Sequence, residues 1–370
     1  MSRNKCIPFL LLLLFVACQN YTPKSAATSI LPSTPTIELT NKRILFLGNS
    51  ITYNGLYVSF IEYALRKQYP NQKIDIVSIG LGSETVSGLT ESVHPFPRPC
   101  LSERLDRAIK AVQPDLIIAT YGINDGIYHP PTAARLTAYQ NGIQHLIEKT
   151  KTANAELILL SPTPFDKLPI GHKIVPIAAP DFSWKTPYEN YDEALTEYSQ
   201  WLNTLDGTVL KVVDWHTAIN QDLIEKRKID PTFSYTKDGI HPNETGHLLM
   251  AQLFLDGLQL NAATTHLADD DLIKKDALFQ QTHQTSTNRS ERWRNYIGYT
   301  RGKTVTAISP KSQLIIMGGQ SNMSGLGKKE NLTNTILPKN IAFINYGLTG
   351  NFNVRKDRFG PEYIHNPYSL

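Results

Sequence analysis

The stretch Arg43-Ile-Leu-Phe-Leu47, followed at once by Gly48-Asn49-Ser50, decides how this chain folds. A short, continuous apolar run bounded by turn-forming residues is typical of a parallel strand that is buried on both faces. The apolar spacing from Leu56 to Gln68 then predicts a helix. A buried strand, a tight turn and a helix begin a β-α-β unit, which places Ser50 at the carboxyl edge of a sheet.

The same alternation of strand and helix continues to about residue 261. Further strands are predicted at Lys73 to Ile79, Leu116 to Thr120, Glu156 to Leu160 and Val209 to Val213. Helices are predicted at Leu101 to Val112, Ala133 to Thr150, Tyr188 to Leu205 and Glu244 to Leu258. This alternation predicts an α/β fold for residues 42–261, a flavodoxin-like three-layer α/β/α sandwich around a parallel sheet.

The first 17 residues are typical of an export signal, with Arg3 and Lys5 ahead of a short apolar run. Val16-Ala17-Cys18 resembles a lipobox, in which the cysteine is lipidated and becomes the mature N-terminus. Residues 18–41 are rich in Ser, Thr and Pro and predict an extended tether. The N-terminal region therefore predicts an exported bacterial cell-envelope lipoprotein anchored to a membrane through Cys18. A secreted protein, cut elsewhere, is the alternative.

The composition argues against several other classes of protein. Of the 370 residues, 41% are hydrophobic and 19% are charged, as in an ordinary globular protein. The net charge is +4 and there is no basic run, so nucleic-acid binding has no support. Cys100 would stand alone after processing, which does not suit a disulfide scaffold. The histidines lack ligand spacing such as His-Glu-x-x-His, so no metal or other cofactor is expected.

Three segments carry the residue types that acyl transfer needs. Ser50 offers a nucleophilic hydroxyl at the edge of the sheet. In Asp238-Gly-Ile-His241 the carboxylate could hold one imidazole nitrogen while the other acts as a general base. The amide of Asn124, in Gly122-Ile-Asn-Asp125, could donate to an oxyanion. Each segment alone is nearly as well explained by a turn or a helix start, but their order along the strand pattern favours one site. His247, inside a helical pattern, is expected to be structural.

Together these segments resemble the SGNH, or GDSL, hydrolase family, whose signature residues are Ser, Gly, Asn and His. The resemblance covers residues 42–261 and implies a serine esterase that needs no cofactor. It implies a catalytic triad of Ser50, Asp238 and His241. It also implies an oxyanion hole formed by Ser50, Gly82 and Asn124.

One position of the family pattern has alternatives in this sequence, and another departs from the pattern. Gly82 is the choice within Gly80-Leu-Gly-Ser-Glu-Thr85, where Gly80 or the Ser83 amide are alternatives. Asn49 stands where the family more often has an aspartate.

A second segment repeats the strand-Gly-x-Ser pattern near the C-terminus. Leu314-Ile-Ile-Met317 runs into Gly318-Gly-Gln-Ser-Asn-Met323 and resembles the opening of sialate O-acetylesterase-type carbohydrate esterases. The resemblance implies that Ser321 is a candidate nucleophile, but no Asp-x-x-His block follows to activate it. Residues 313–370 are therefore predicted to be an incomplete, inactive second α/β segment. Residues 262–312 are predicted to be a connector with some local structure.

The export signal and this companion segment favour an acetylated polysaccharide or oligosaccharide as substrate. Four aromatic residues could offer faces for sugar stacking, although their partly helical spacing also suits a core: Trp184, Tyr188, Tyr191 and Trp201. A lipid-acting esterase, lysophospholipase or thioesterase would also suit a membrane anchor. A surface carbohydrate-binding protein without turnover is a third possibility.

Overall fold

A computed structural model describes residues 37–298, 344–346 and 352–354. Its main sheet has five parallel strands in the order β2-β1-β3-β4-β5. The strands are β1 Arg43–Gly48, β2 Asp75–Ser78, β3 Leu116–Thr120, β4 Glu156–Leu160 and β5 Lys211–Val213. This is the flavodoxin-like strand order, in which the chain reverses direction across the sheet at β1.

Helices follow the strands and pack against the sheet. Their bounds are α1 Ser50–Asn54, α2 Leu56–Gln68, α3 Leu101–Val112, α4 Ala133–Thr152, α5 Asp192–Asn203, α6 Trp215–Ile229, α7 Glu244–Gly257, α8 Asn261–Thr264, α9 Asp270–Lys275 and α10 Ala277–Ile297. α2 packs against α7 and α10, whereas α3, α4 and α5 pack next to one another. The strand order and the helical layers confirm the predicted α/β/α sandwich.

The register of β1 brings three loops to one edge of the sheet. Phe46 of β1 lies opposite Ser78 of β2, and Gly48 lies opposite Thr120 of β3. The apolar residues of β1 are fully buried, as a parallel strand covered on both faces requires. The loops that follow β1, β2 and β3 therefore leave the sheet side by side, at the point where open α/β sheets bind their ligands.

Helices α5 and α6 differ from the sequence prediction. α5 starts at Asp192 rather than Tyr188, because the Tyr188 N–H donates to the carbonyl of Tyr128 in a loop. α6 is not predicted from the sequence, since its buried face mixes Trp215 and His216 with only two aliphatic residues. Its start is fixed by the Asp214 side chain, which accepts from the N–H of Thr217.

The packed core extends past the predicted boundary at residue 261. The first part of the predicted connector forms α8, α9 and α10, and α10 packs against α2 and the edge strand β2. Phe279 of α10 stacks on Phe60 of α2, with ring centroids 5.0 Å apart. An edge strand with one face uncovered would expose apolar surface, so α10 completes the layer on that side.

The remaining described residues form an antiparallel pair, β6 Ile344–Tyr346 with β7 Phe352–Val354. Within the described residues, no helix has the length and apolar character needed to cross a membrane. Cys18 and Ser321 lie outside the described residues, so lipidation and a second nucleophile stay predictions.

Candidate active site

Ser50 stands at the first position of α1, directly after β1. Asn49 caps this helix, because its side-chain oxygen accepts from the N–H of Ile51 at 3.0 Å. A Cβ at Gly48 would lie 2.1 Å from the Thr52 hydroxyl oxygen, so only glycine lets the strand pass this close to α1. The asparagine that departs from the family pattern thus still supplies the cap that orients the serine.

The structure brings Ser50, His241 and Asp238 together. The Oγ of Ser50 lies 2.7 Å from Nε2 of His241, and Nδ1 of His241 lies 2.7 Å from Oδ2 of Asp238. An ionised carboxylate only accepts, so Nδ1 carries the proton and Nε2 presents its lone pair to the serine hydroxyl. This is the geometry in which an imidazole can take the proton of an attacking serine.

Hydrogen bonds within its own loop stabilise the negative charge of Asp238. Burial acts to raise the pKa of the Asp238 carboxyl, but hydrogen bonds from the His241 imidazole and from backbone N–H groups outweigh it. Its Oδ1 accepts from the N–H groups of Ile240 and His241 at 3.0 and 2.8 Å. The pKa therefore lies well below the usual range of an aspartate, and the carboxylate stays ionised wherever His241 works as a base.

Asp166, which sequence reasoning missed, supports the Asp238-to-His241 loop. Gly239 has φ +81°, and a Cβ there would lie 2.8 Å from the carbonyl oxygen of Asp166. The Asp166 N–H donates to the Gly239 carbonyl at 3.0 Å. Its carboxylate accepts from Arg227 and Ser234 at 2.5 and 2.6 Å. These partners are distant in sequence, so no local spacing signals them.

Asn124 is buried, and its amide is oriented by two partners. Its Nδ2 donates to the carbonyl of Glu84 at 3.2 Å, and its Oδ1 accepts from the hydroxyl of Tyr128 at 2.9 Å. Because Tyr128 can donate to the oxygen, the amide group is fixed with its nitrogen toward the loop after β2. The second N–H of that nitrogen is available to an oxyanion.

Asp125 holds the turn that carries Asn124. Its buried carboxylate accepts from the N–H groups of Val86, Ser87 and Gly122, each at 2.8 Å. Burial nevertheless raises the pKa of Asp125 to about 6, against the lowering effect of these bonds. Asp125 therefore joins the loop after β2 to the turn after β3.

Backbone strain in this turn brings Tyr128 onto Asn124. Ile127 and Tyr128 have φ of 47° and 62°, in the left-handed region that residues with side chains rarely adopt. Such conformations cost on the order of 1–3 kcal/mol each and persist only where surrounding contacts hold them. Arg98 supplies one such contact, with its guanidinium carbon 5.5 Å from the Tyr128 ring centroid. Arg98 is itself buried and paired with Glu91 at 2.6 Å.

The loop after β2 lies against α1. The Leu81 N–H donates to the carbonyl of Gly48 at 2.9 Å, and a Cβ at Gly80 would lie 2.2 Å from the nitrogen of Tyr53. Gly80 is thus required for close packing. Within residues 37–298, the N–H groups of Gly82 and Ser50 donate to no protein acceptor. Both are partly exposed and available to a ligand.

The other candidates of the sequence analysis lie elsewhere. His247 is buried in α7, where its ring stacks on Tyr57 at 6.0 Å, and burial, then the nearby His241, lower its pKa to about 4. Tyr188 and Tyr191 belong to the core, and only Trp184 of the four candidate stacking residues is exposed, by 42%. Across the described ranges, no cluster of three or more His, Cys, Asp or Glu side chains is placed to hold a metal ion.

Several solved structures are similar to this chain. A gut microbial diltiazem-metabolizing enzyme is 24% identical with a TM-score of 0.47, and the match covers 60% of this chain and 48% of that one. This chain thus spans about half of that enzyme. A variant of an acetyl-xylooligosaccharide esterase from Geobacillus is 21% identical with a TM-score of 0.43, over 60% and 96% of the two chains. An α/β hydrolase enzyme from the metagenome of Lake Arreo, Spain, is 20% identical with a TM-score of 0.41, over 63% and 99%.

Sequence comparison gives a relative and a family. An acetylxylan esterase from Geobacillus stearothermophilus is 23% identical over 235 residues, which are 58% of this chain and 92% of that protein. The profile of the GDSL-like lipase/acylhydrolase family matches residues 46–249, more than half of the chain. This range holds Ser50, Asn124, Asp238 and His241. The chain belongs to the GDSL-like lipase/acylhydrolase family, the SGNH hydrolases that act on esters.

Proposed function

We propose that this protein is a serine esterase that removes acetyl groups from carbohydrate through an acyl-enzyme at Ser50. One observation carries the proposal, the continuous chain of hydrogen bonds from the Ser50 hydroxyl through His241 to Asp238, with both bonds at 2.7 Å. A serine with a base in contact, and a base oriented by a third group, is the arrangement that activates an alcohol for attack on an ester.

The reaction proceeds in two steps. His241 accepts the Ser50 proton as the hydroxyl oxygen attacks the acetyl carbonyl. The oxyanion accepts hydrogen bonds from the N–H groups of Ser50 and Gly82 and from the amide of Asn124. His241 then gives the proton to the departing sugar hydroxyl, which leaves an acetyl-enzyme. Water attacks this ester with His241 again as the base, and acetate is released as Ser50 recovers its proton.

Two observations support an acetylated carbohydrate rather than a long-chain lipid. The similar acetylxylan esterase aligns over 92% of its length, at 23% identity. The Asp238 and His241 side chains are about half exposed, at 48% and 47%. A reacting group this open to solvent can be reached by a bulky, hydrated polymer, whereas a long acyl chain would need an enclosed apolar channel. A lipid-acting esterase is the alternative that the experiment below tests.

The experiment is an acetate-release assay on the full chain. Substrates are acetylated xylooligosaccharides, p-nitrophenyl acetate and p-nitrophenyl palmitate. Acetyl esters are expected to react, and Ser50→Ala is expected to lower kcat by about 10⁴-fold or more. Ser102→Ala is the control, because Ser102 is an exposed serine on α3 and should keep wild-type rates. Stoichiometric labelling of Ser50 by an organophosphonate would separate an enzyme from a binding protein.

Three results would contradict the proposal. A higher kcat/KM for the palmitate ester than for the acetates would favour the lipid-acting alternative. Activity that survives Ser50→Ala and disappears in Ser321→Ala would move the reaction to the C-terminal motif. A folded protein that neither hydrolyses any ester nor reacts with the phosphonate would be a carbohydrate-binding protein instead.

A further inference from the structure

Helix α10 brings an arginine to the catalytic edge of the sheet. Its first turns pack on the middle of α2, where Phe279 stacks on Phe60. Its last turns reach α1, where the guanidinium carbon of Arg294 lies 4.2 Å from the ring centroid of Tyr53. Since α2 runs away from α1, α10 runs back toward α1 and ends beside the helix that carries Ser50.

Among the described residues, Arg294 has no salt-bridge partner that balances its charge. Its guanidinium lies over the Tyr53 ring and donates to no acceptor within residues 37–298. Burial lowers the pKa of Arg294, while Tyr53 and the exposed Glu291 on the same helix act to raise it and Arg104 acts to lower it. Arg104, by contrast, is paired, because it donates two hydrogen bonds of 2.6 Å to the carboxylate of Glu84. An anion that reaches a half-buried guanidinium with no bonded carboxylate stabilises its positive charge.

The position of Tyr53 relates this arginine to the nucleophile. Tyr53 follows Ser50 by three residues on α1, a spacing that places the two side chains on one face of the helix. The Tyr53 side chain is 52% exposed. A sugar whose ester is seated at Ser50 can therefore extend toward the Tyr53 ring and the guanidinium beside it.

We propose that Arg294 is a specificity-determining residue that binds a carboxylate on the sugar, so that the preferred substrates are acetylated glycans containing uronic acids. The planar guanidinium matches a carboxylate with two parallel hydrogen bonds. The exposed Tyr53 ring offers a face on which the sugar can stack. This inference rests on the proposed function, because it concerns the sugar of the same ester that reacts at Ser50.

The kinetic test compares two substrates of the same shape. They are a methyl O-acetyl-galactopyranosiduronate and its methyl ester, which carry the same acetyl groups and differ by one negative charge. Wild-type enzyme is expected to favour the acid by about tenfold or more in kcat/KM, mainly through KM. Arg294→Met should reduce this ratio to about one, and Arg294→Lys should retain part of it. Arg292→Met removes an equal charge from the same helix and should keep the wild-type ratio.

Three values of this kcat/KM ratio overturn the inference. One is a wild-type ratio near one. Another is an equal fall of the ratio in Arg294→Met and Arg292→Met, which would mean that only the general charge of α10 matters. A merely structural role of Arg294 would lower the rates for both substrates together and leave the ratio unchanged, which also overturns it.

A binding measurement separates this inference from the proposed function. Calorimetry compares trigalacturonate with its methyl-esterified form on the full-length Ser50→Ala protein, with and without Arg294→Met. The acid is expected to bind at least about tenfold more tightly than its ester, and only when Arg294 is present. Equal binding of the two ligands overturns the carboxylate site even if the enzyme hydrolyses acetates. Failure to hydrolyse any acetate, with this binding preference intact, would overturn the proposed function alone.

Discussion

The Asp238-to-His241 loop and the Asn124-Asp125 turn both serve Ser50 in the proposed mechanism, but they are built in opposite ways. In the loop, the bonds join residues two or three positions apart, and the side chains of Asp238 and His241 are about half exposed. In the turn, Asn124 and Asp125 also bond to Glu84 and Val86, which lie 40 and 39 positions away, and both side chains are buried. We therefore expect substitutions in the loop to abolish catalysis while the protein stays folded. Substitutions in the turn should destabilise the fold.

Asp238→Ala should cause the largest loss of activity with the smallest loss of stability. Without the carboxylate, His241 loses the partner that fixes its tautomer and stabilises its charged form, so kcat should fall by about 10⁴-fold. Because Asp238 is half exposed, water can replace part of its hydrogen bonding, so the free energy of unfolding should fall by only about 1–2 kcal/mol. Ester hydrolysis and urea unfolding of the same preparation measure the two effects. A stability loss as large as that of the Asp125 variant below would remove the contrast between the two regions.

Asp125→Ala should act in the other direction, mainly on stability. It leaves the N–H groups of Val86, Ser87 and Gly122 buried without an acceptor. Unsatisfied buried donors are costly, so the free energy of unfolding should fall by about 4 kcal/mol. Activity should fall with it, because the turn that places Asn124 loosens.

Asp125→Asn is the matched control for this variant. The amide keeps an oxygen that can accept from part of the backbone and has almost the same shape, so it should recover a large part of the stability. Urea unfolding at pH 7 compares the two variants. Equal stability of Asp125→Ala and wild type would contradict a scaffold role for Asp125.

The same contrast explains what could be predicted from the sequence. Ser50, Asp238 and His241 were recognisable because each stands in a short segment whose spacing carries its chemistry. Asp166 was not recognisable, since its partner Arg227 lies 61 positions away. Tyr128 lies only four positions from Asn124, but it reaches the amide through a left-handed backbone conformation that the sequence does not show.

The fold shows the same pattern. Strands with continuous apolar runs were predictable, and the five-stranded parallel sheet confirms them. Helix α10 was missed because much of its buried face consists of small hydroxyl residues, Thr282, Ser286 and Ser290, rather than aliphatic ones. Burial of such residues depends on the surface they meet, which a periodicity of apolar residues does not show.

Two buried titratable groups, His247 and Asp125, make the free energy of unfolding depend on pH in opposite senses. His247 is 2% exposed, and its pKa is lowered from 6.5 to about 4, so the folded protein holds it neutral. Between these values the unfolded chain binds the proton and the folded protein does not, so this residue makes stability fall as the pH falls. Asp125, with its raised pKa, acts in the opposite sense between about pH 6 and 4. A single stability curve would therefore hide both effects.

The difference between wild type and His247→Phe isolates the histidine. Phenylalanine keeps an aromatic ring against Tyr57 and cannot titrate. Relative to wild type, the variant should gain stability as the pH falls from 6.5 to 4, by up to about 3 kcal/mol. Urea unfolding at half-unit pH intervals measures this difference. A difference that does not change with pH would mean that His247 is protonated equally in both states.

Tyr128→Phe should give the smallest effect and tests the link between the buried turn and catalysis. The variant removes only the hydroxyl that donates to Oδ1 of Asn124 at 2.9 Å, and burial keeps that hydroxyl neutral by raising the pKa of Tyr128. The amide then loses one of the two partners that orient it, which should lower kcat by about fivefold and leave KM nearly unchanged. Tyr63→Phe is the control, because the buried Tyr63 donates its hydroxyl to Asp276 at the start of α10 and not to the turn that holds Asn124. If the Asn124→Ala variant shows the same fivefold loss after Tyr128→Phe is added, the tyrosine does not act through Asn124. If that added loss disappears, the hydroxyl serves only to orient the amide toward the oxyanion.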